Sequence, residues 1–176
     1  MNTLLSVNSK YDRSLNGDAA LSPSEERGRQ LYFAEFNPGF PSQSGADCAH
    51  CHGGRNFFAN RYVNNGLDSD GQITDAGRED VTQNVNDKAK FKVVSLRNIE
   101  VTPPYMHDGR FKTLEEVVEH YNNGIHASST LDPALEYTRA SGGLNLTPQD
   151  KADLVAFLKT LTDDNLLTNP DYSSPF

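Results

Sequence analysis

Residues 48–52 bring two thiols and two imidazoles together and read Cys-Ala-His-Cys-His. This C-x-x-C-H spacing is typical of c-type haem attachment. Thiols three positions apart can each add to one vinyl group of the same macrocycle, and the imidazole that follows can then bond the iron. The sequence therefore predicts one haem c attached covalently through Cys48 and Cys51, with His52 as an axial ligand of its iron.

Other uses of this cysteine pair fit the sequence less well. A thioredoxin-type redox pair would follow a strand, and no strand pattern precedes Cys48. A structural zinc site needs four ligands, no second Cys pair lies downstream, and the pair His120 and His126 lies far beyond the spacing of a zinc finger. A disulfide between Cys48 and Cys51 stays open as an alternative.

Length and charge narrow the class of protein. The chain has 176 residues, which suits one domain with long loops. Its formal net charge of −8 argues against a nucleic-acid partner, because phosphates would be repelled, and is compatible with a basic electron-transfer partner. The sequence contains no run of about twenty apolar residues, so it predicts no membrane-spanning helix.

Three helices are predicted from capping signals and apolar periodicity. They begin after Ser22, Thr113 and Thr147 and extend to about residues 34, 124 and 162. A helix before C-x-x-C-H and an amphipathic helix near the C-terminus form the layout of class I cytochromes c. We therefore expect a mainly α, class I cytochrome c-like domain around one haem, with long loops, over residues 21–165. An N-terminal arm (1–20) and a C-terminal tail (166–176) would flank it, and Gly28 would lie where the terminal helices cross.

The iron face opposite His52 takes a second ligand or stays open. Positions 114, 117, 118 and 121 share one face of the predicted second helix, so Tyr121 points inward, as a ligand or as plain core packing. His120 falls off that face and is expected at the surface near Glu116. Met106, in the Pro-Pro loop 102–109, is the rival ligand. His107, His126 and water complete the set of candidates.

Several longer stretches resemble the bacterial dihaem cytochrome c peroxidase family, and its MauG-like branch most. They are Phe-Lys-Val-Val-Ser-Leu-Arg-Asn-Ile (91–99), Thr-Pro-Pro-Tyr-Met-His-Asp-Gly-Arg-Phe (102–111) and Thr-Leu-Glu-Glu-Val-Val (113–118), with 9–13 and 154–161. The resemblance covers nearly the whole chain but corresponds to the family's C-terminal haem domain alone. It implies an electron-transfer haem here and a peroxide-cleaving haem in a separate N-terminal domain.

The resemblance also implies site residues. In the family, the second iron ligand lies fourteen residues past the His of a Pro-Tyr-x-His motif. This ligand is a Met in ordinary peroxidases and a Tyr in MauG-like members. The same count from His107 leads to Tyr121. An interdomain calcium, bound partly by backbone carbonyls, would map to Thr102 and Pro104. The chain departs from the family in having a single C-x-x-C-H and no Trp, the usual bridge between the two haems.

Arg97 stands just before the Pro-Pro loop in a chain that is rich in acids. A buried haem propionate needs a charge-assisted partner, so we predict that Arg97 binds a propionate rather than a distant carboxylate. The alternative is a surface salt bridge.

These features together predict a c-type haem electron-transfer domain, catalytic only with the other half of a peroxidase-type oxidoreductase. A monohaem electron carrier and an open-site ligand-binding or sensing domain are the alternatives. The expected partner is a second haem domain or a redox protein. Because haem c is normally installed outside the cytoplasm, we expect a periplasmic or otherwise exported protein, although residues 1–6 lack signal-peptide features.

Overall fold

The computed structural model of the protein describes residues 6–172, which are mainly helical, as predicted. Residues 1–5 of the expected arm and 173–176 of the expected tail lie outside the described residues. The helices are α1 (Lys10–Leu15), α2 (Pro23–Phe33), α3 (Cys48–Cys51), α4 (Glu79–Thr82), α5 (Leu114–Glu119), α6 (Pro133–Ala140), α7 (Pro148–Lys159) and α8 (Asp164–Thr168).

The remaining regular structure is short. Strands β1 (Tyr62–Val63) and β2 (Phe91–Lys92) pair antiparallel, with Tyr62 opposite Lys92. No helix among residues 6–172 is long and apolar enough to cross a membrane. A π-helical turn, His120–Gly124, continues α5, and single 3₁₀ turns occur at Pro41–Gln43, Val85–Asp87, Ile99–Val101 and Pro170–Tyr172.

Reciprocal capping boxes start the three predicted helices. The Ser22 hydroxyl accepts from the Glu25 backbone N–H, and the Glu25 carboxylate accepts from the Ser22 backbone N–H. Thr113 with Glu116, and Thr147 with Asp150, repeat the pattern at α5 and α7. Each box satisfies backbone donors that a helix start leaves free, so local sequence determines where these helices begin. The α7 helix ends at Lys159, slightly before the predicted end.

Helices α2 and α7 cross at Gly28, as predicted. A Cβ added at Gly28 would overlap the backbone carbonyl of Asp153 and approach the Phe157 Cβ to 2.9 Å. The buried Asp153 carboxylate accepts from Arg27 Nε at 2.8 Å and from the Ser24 hydroxyl, both on α2. A glycine thus permits the close approach, and a buried carboxylate holds the two helices in register.

The core is built around aromatic rings at this crossing. Tyr32, Phe57 and Phe157 are fully buried and lie within 6.5 Å of one another, centroid to centroid. Tyr11 of α1 packs edge-on against Phe157 at 5.3 Å, and its backbone N–H donates to the Thr160 carbonyl. Residues 10–15 of the expected N-terminal arm are therefore part of the packed domain, since they contribute Tyr11 to its core.

Candidate haem site

The two cysteines lie on the single turn of α3, which follows Asp47 in a left-handed conformation (φ 51°). Residues three apart on one helical turn lie on the same side, so both sulfurs lie on one side of α3. Both thiols are free, so the alternative disulfide is not formed. Burial raises the pKa of Cys48 to about 12, and burial also raises the pKa of Cys51 although Arg61 opposes it.

His52 is held in one orientation by backbone groups. Its Nδ1–H donates to the backbone carbonyl of Val94 at 3.0 Å, and its own carbonyl accepts from the Tyr32 hydroxyl at 2.6 Å. Burial lowers the pKa of His52, although the bond to Val94 opposes this, so the imidazole is neutral at pH 7. With Nδ1 carrying the proton, Nε2 keeps its lone pair and can bind a metal.

Asn65 forms hydrogen bonds with three of the candidate ligands for the iron face opposite His52. Its side-chain Nδ2 donates to Met106 Sδ at 3.4 Å, and its backbone carbonyl accepts from His120 Nε2 at 3.0 Å. Burial raises the pKa of Tyr121 to about 12, the Asn65 amide counteracts this shift, and both cysteines add to it. Tyr121 and Met106 are thus neighbours across Asn65. Residues 64–66 read Asn-Asn-Gly, a turn pattern that does not by itself indicate these contacts.

His120 corrects a prediction. It is buried (6 % exposed) and packs against Phe111 and Tyr121, with ring centroids 5.7 and 5.0 Å away, instead of lying at the surface. The prediction assumed an undisturbed α-helix, whereas the chain enters a π-helical turn at His120. A π turn takes in one extra residue, so it changes the direction of every side chain within it.

Arg97 corrects a second prediction, because its partner is a distant carboxylate. Its Nη1 and Nη2 donate to the two Asp12 oxygens at 2.8 and 2.9 Å, and its Nε donates to the Arg55 carbonyl at 3.1 Å. Asp12 follows Ser9, whose capping box starts α1. Because α1 packs on the core, it carries this carboxylate to Arg97, and nothing in the local sequence around Arg97 indicates that.

Arg61 is a cation beside Cys51 that the sequence analysis did not identify. Its Nη2 lies 2.8 Å from Cys51 Sγ, and its Nη1 lies 4.0 Å from the Asp132 carboxylate. Its Nε is the one buried side-chain nitrogen or oxygen in residues 6–172 without a hydrogen-bond partner. A buried donor without an acceptor is costly, so this position suits a bound group or a water that supplies one.

The expected calcium residues Thr102 and Pro104 are exposed in a loop that contains a cis Pro103–Pro104 bond. The Thr102 hydroxyl donates to the Ile99 carbonyl at 3.2 Å. Residues 6–172 contain no cluster of three or more His, Cys, Asp or Glu side chains suited to a metal ion. Calcium binding by backbone carbonyls here stays a prediction.

Comparison with known proteins finds relatives along nearly the whole chain. The chain is 34% identical over 176 residues to cytochrome c551 peroxidase of Nitrosomonas europaea, covering 98% of this chain and 43% of that protein. It is 31% identical over 160 residues to the methylamine utilization protein MauG of Methylophilus methylotrophus, covering 90% and 43%. This chain belongs to the cytochrome c peroxidase and MauG family. It corresponds to about one half of the length of these relatives.

Solved structures agree with this relationship, although no protein-family model matches the chain. A MauG-like protein associated with microbial copper homeostasis superposes with a TM-score of 0.80 at 36% identity, covering 96% of this chain and 52% of that one. The diheme peroxidase BthA of Burkholderia thailandensis has the same fold, with a TM-score of 0.68. The chain spans about half the length of the peroxidase and MauG relatives it matches.

Two predictions are therefore confirmed. The resemblance to cytochrome c peroxidases and MauG-like proteins holds over nearly the whole chain, and the relatives are haem-containing oxidoreductases. The chain corresponds to about one half of such a protein.

Proposed function

We propose that this chain is the C-terminal, electron-transfer half of a dihaem peroxidase-type oxidoreductase, with a class I cytochrome c-like arrangement around a single haem c. Thioether bonds from Cys48 and Cys51 attach the haem, and His52 binds its iron. The observation that carries this proposal is the His52 ring, neutral and oriented by Val94, beside two free thiols on one helical turn. Haem supplies one-electron redox chemistry at such a site.

Tyr121 is the second iron ligand in this proposal. It lies close enough to both cysteines for them to raise its pKa, and the Asn65 amide favours the charged form of its oxygen. The same amide donates to Met106 Sδ and so engages one of the two lone pairs of the rival ligand. An anionic oxygen ligand stabilises ferric iron and lowers the reduction potential.

The other half of the oxidoreductase is the main partner in this proposal, and peroxide is cleaved there. The Thr102 and Pro104 carbonyls contribute to a calcium site that the other half completes. Haem c is attached outside the cytoplasm, so the protein works in the periplasm or another exported location.

The test uses the protein expressed with a periplasmic c-haem maturation system. Acid–acetone extraction should leave the haem on the polypeptide, and the ferric form should resist cyanide. Tyr121→Phe should give high-spin ferric iron, rapid cyanide binding and a higher reduction potential. Tyr105→Phe is the matched control, because Tyr105 is a buried tyrosine whose hydroxyl donates to the Ile99 carbonyl instead. Complete extraction of the haem would refute covalent attachment.

The same measurements distinguish the alternatives. An unchanged ferric spectrum in Tyr121→Phe would make Met106 the ligand, which Met106→Leu then tests. Immediate cyanide binding by the parent would favour an open-site ligand-binding domain. Asn65→Leu, which removes the amide and keeps the size, should produce a partly Met-ligated population that disappears when Met106→Leu is added.

A further inference from the structure

One segment beside the haem site is rich in cations, in contrast to the chain as a whole. Residues 88–97 contain four cations and no acid, while the chain carries a net charge of −8. The Arg97 side chain is already paired with the Asp12 carboxylate. Within the part of the chain that the structure describes, Lys88, Lys90 and Lys92 form no ion pair, and Lys92 Nζ donates only to the Asn60 amide oxygen at 3.0 Å.

The strand alternation places these cations on one face. Phe91 stacks on His107 and Val93 is buried, so residues 90, 92 and 94, which alternate with them, lie on the opposite, outer side. Val94 is 60 % exposed there. Tyr62 lies directly opposite Lys92 in the β1–β2 pair and therefore shares its face, with 42 % of its surface exposed.

Arg78 adds a further guanidinium to this face. It stacks over the Tyr62 ring, 4.5 Å from the centroid, and is partly neutralised by Asp87 at 3.1 Å. We call Tyr62, Arg78, Lys90, Lys92 and Val94 the basic face. Its centre is aromatic and aliphatic and its edge is cationic, which is the composition of transient protein interfaces.

The basic face is connected to the proximal ligand by a single hydrogen bond. The Val94 carbonyl that accepts from His52 Nδ1 belongs to the same residue whose side chain is exposed on this face. Electrons tunnel faster through covalent bonds and short hydrogen bonds than across gaps. The path from the imidazole to the surface therefore consists of one 3.0 Å hydrogen bond and the backbone of one residue.

We propose that the basic face is the docking surface for an acidic redox protein that exchanges electrons with the haem through Val94 and His52. The proposal rests on the proposed function, since it needs haem iron at His52. One electron passes from the reduced partner to ferric iron and leaves an oxidised partner and ferrous iron, with no bond broken. Unpaired lysines attract an acidic partner, whereas the remaining negative surface repels it, so this face sets its orientation.

Charge-matched double variants test the proposal. Lys90→Gln/Lys92→Gln removes two charges from the basic face, and Lys112→Gln/Lys159→Gln removes two from exposed lysines outside it. The ferrous holoproteins are oxidised in a stopped-flow instrument by anionic hexacyanoferrate(III), by cationic tris(phenanthroline)cobalt(III) and by an acidic plastocyanin. The reduction potential of each variant is measured separately, so that driving force and docking are distinguished.

The expected result is specific to charge and place. Each charge removed from the basic face should slow oxidation by the anionic reagent roughly three- to fivefold at low ionic strength, as Coulomb's law gives for charges about 10 Å apart. The effect should disappear in high salt. Oxidation by the plastocyanin should slow by at least as much, and oxidation by the cationic reagent should become faster. The control variant should change each rate by less than about twofold.

Two outcomes would refute the proposal that the basic face is a docking surface. Equal slowing in both double variants would mean that only net charge matters. Slowing of the small anion without any effect on the plastocyanin would mean that another segment, such as the second half of the oxidoreductase, covers the face. A protein that carries no covalent haem would instead refute the proposed function itself, and its absorption spectrum reveals this before any kinetics.

Discussion

Replacing Arg97 by Leu tests the ion pair that joins residues 85 positions apart in the chain. The side chains of Arg97 and Asp12 are 7 % and 13 % exposed, and two parallel hydrogen bonds of 2.8 and 2.9 Å connect them. Removing one member of such a pair leaves a nearly buried carboxylate without a cation, which costs about 3–5 kcal/mol. Because Asp12 keeps its bonds from Ser9, we expect a loss of about 3 kcal/mol in the free energy of unfolding.

The loss should depend on pH in a defined direction. Burial opposes ionisation of Asp12, but hydrogen bonds from Arg97 and Ser9 outweigh it and lower its pKa. A lowered pKa in the folded state stabilises the fold above the unfolded value, about 3.9, and this contribution disappears as the pH falls through the folded value. In Arg97→Leu burial dominates and the pKa rises. The stability difference between parent and variant should therefore be full at pH 7 and narrow below about pH 4.

Urea unfolding, followed by far-ultraviolet circular dichroism, measures these differences at pH 7 and pH 3. The double variant Arg97→Leu/Asp12→Asn completes a cycle, in which we expect a coupling of about 2 kcal/mol. A coupling below about 0.5 kcal/mol would refute the ion pair. The haem potential provides the second readout: if Arg97→Leu shifts it and Asp12→Asn does not, Arg97 binds a propionate after all.

Three further predictions concern the elements that position the site. Gly28→Ala should lower the free energy of unfolding by about 2–3 kcal/mol in urea, because the methyl group overlaps the Asp153 carbonyl and outweighs a helix-propensity gain of about 1 kcal/mol. Tyr32→Phe should cost about 1 kcal/mol in the same assay through the lost bond to the His52 carbonyl, with the ferric spectrum unchanged. Thr147→Ala should cost about 1 kcal/mol in thermal unfolding because α7 loses its cap; an unchanged midpoint would contradict that role.

The sequence by itself determined the features whose causes are neighbours in the chain. Capping boxes need residues three positions apart, so the starts of α2, α5 and α7 follow directly from Ser22, Thr113 and Thr147. The C-x-x-C-H pattern is likewise local, and a single turn of helix places both thiols on one side. The family resemblance also came from contiguous stretches, and the relatives confirmed it over nearly the whole chain.

Only the tertiary structure decided which distant groups meet. Arg97 bonds a carboxylate that α1 carries across the core, and Asn65 reaches Met106 and His120 from a turn that looked like a plain loop. The Val94 carbonyl orients His52 from 42 residues away. Each of these contacts depends on how the helices and loops pack together. Packing is a property of the whole chain, so neither propensity nor spacing around one residue reveals its long-range partner.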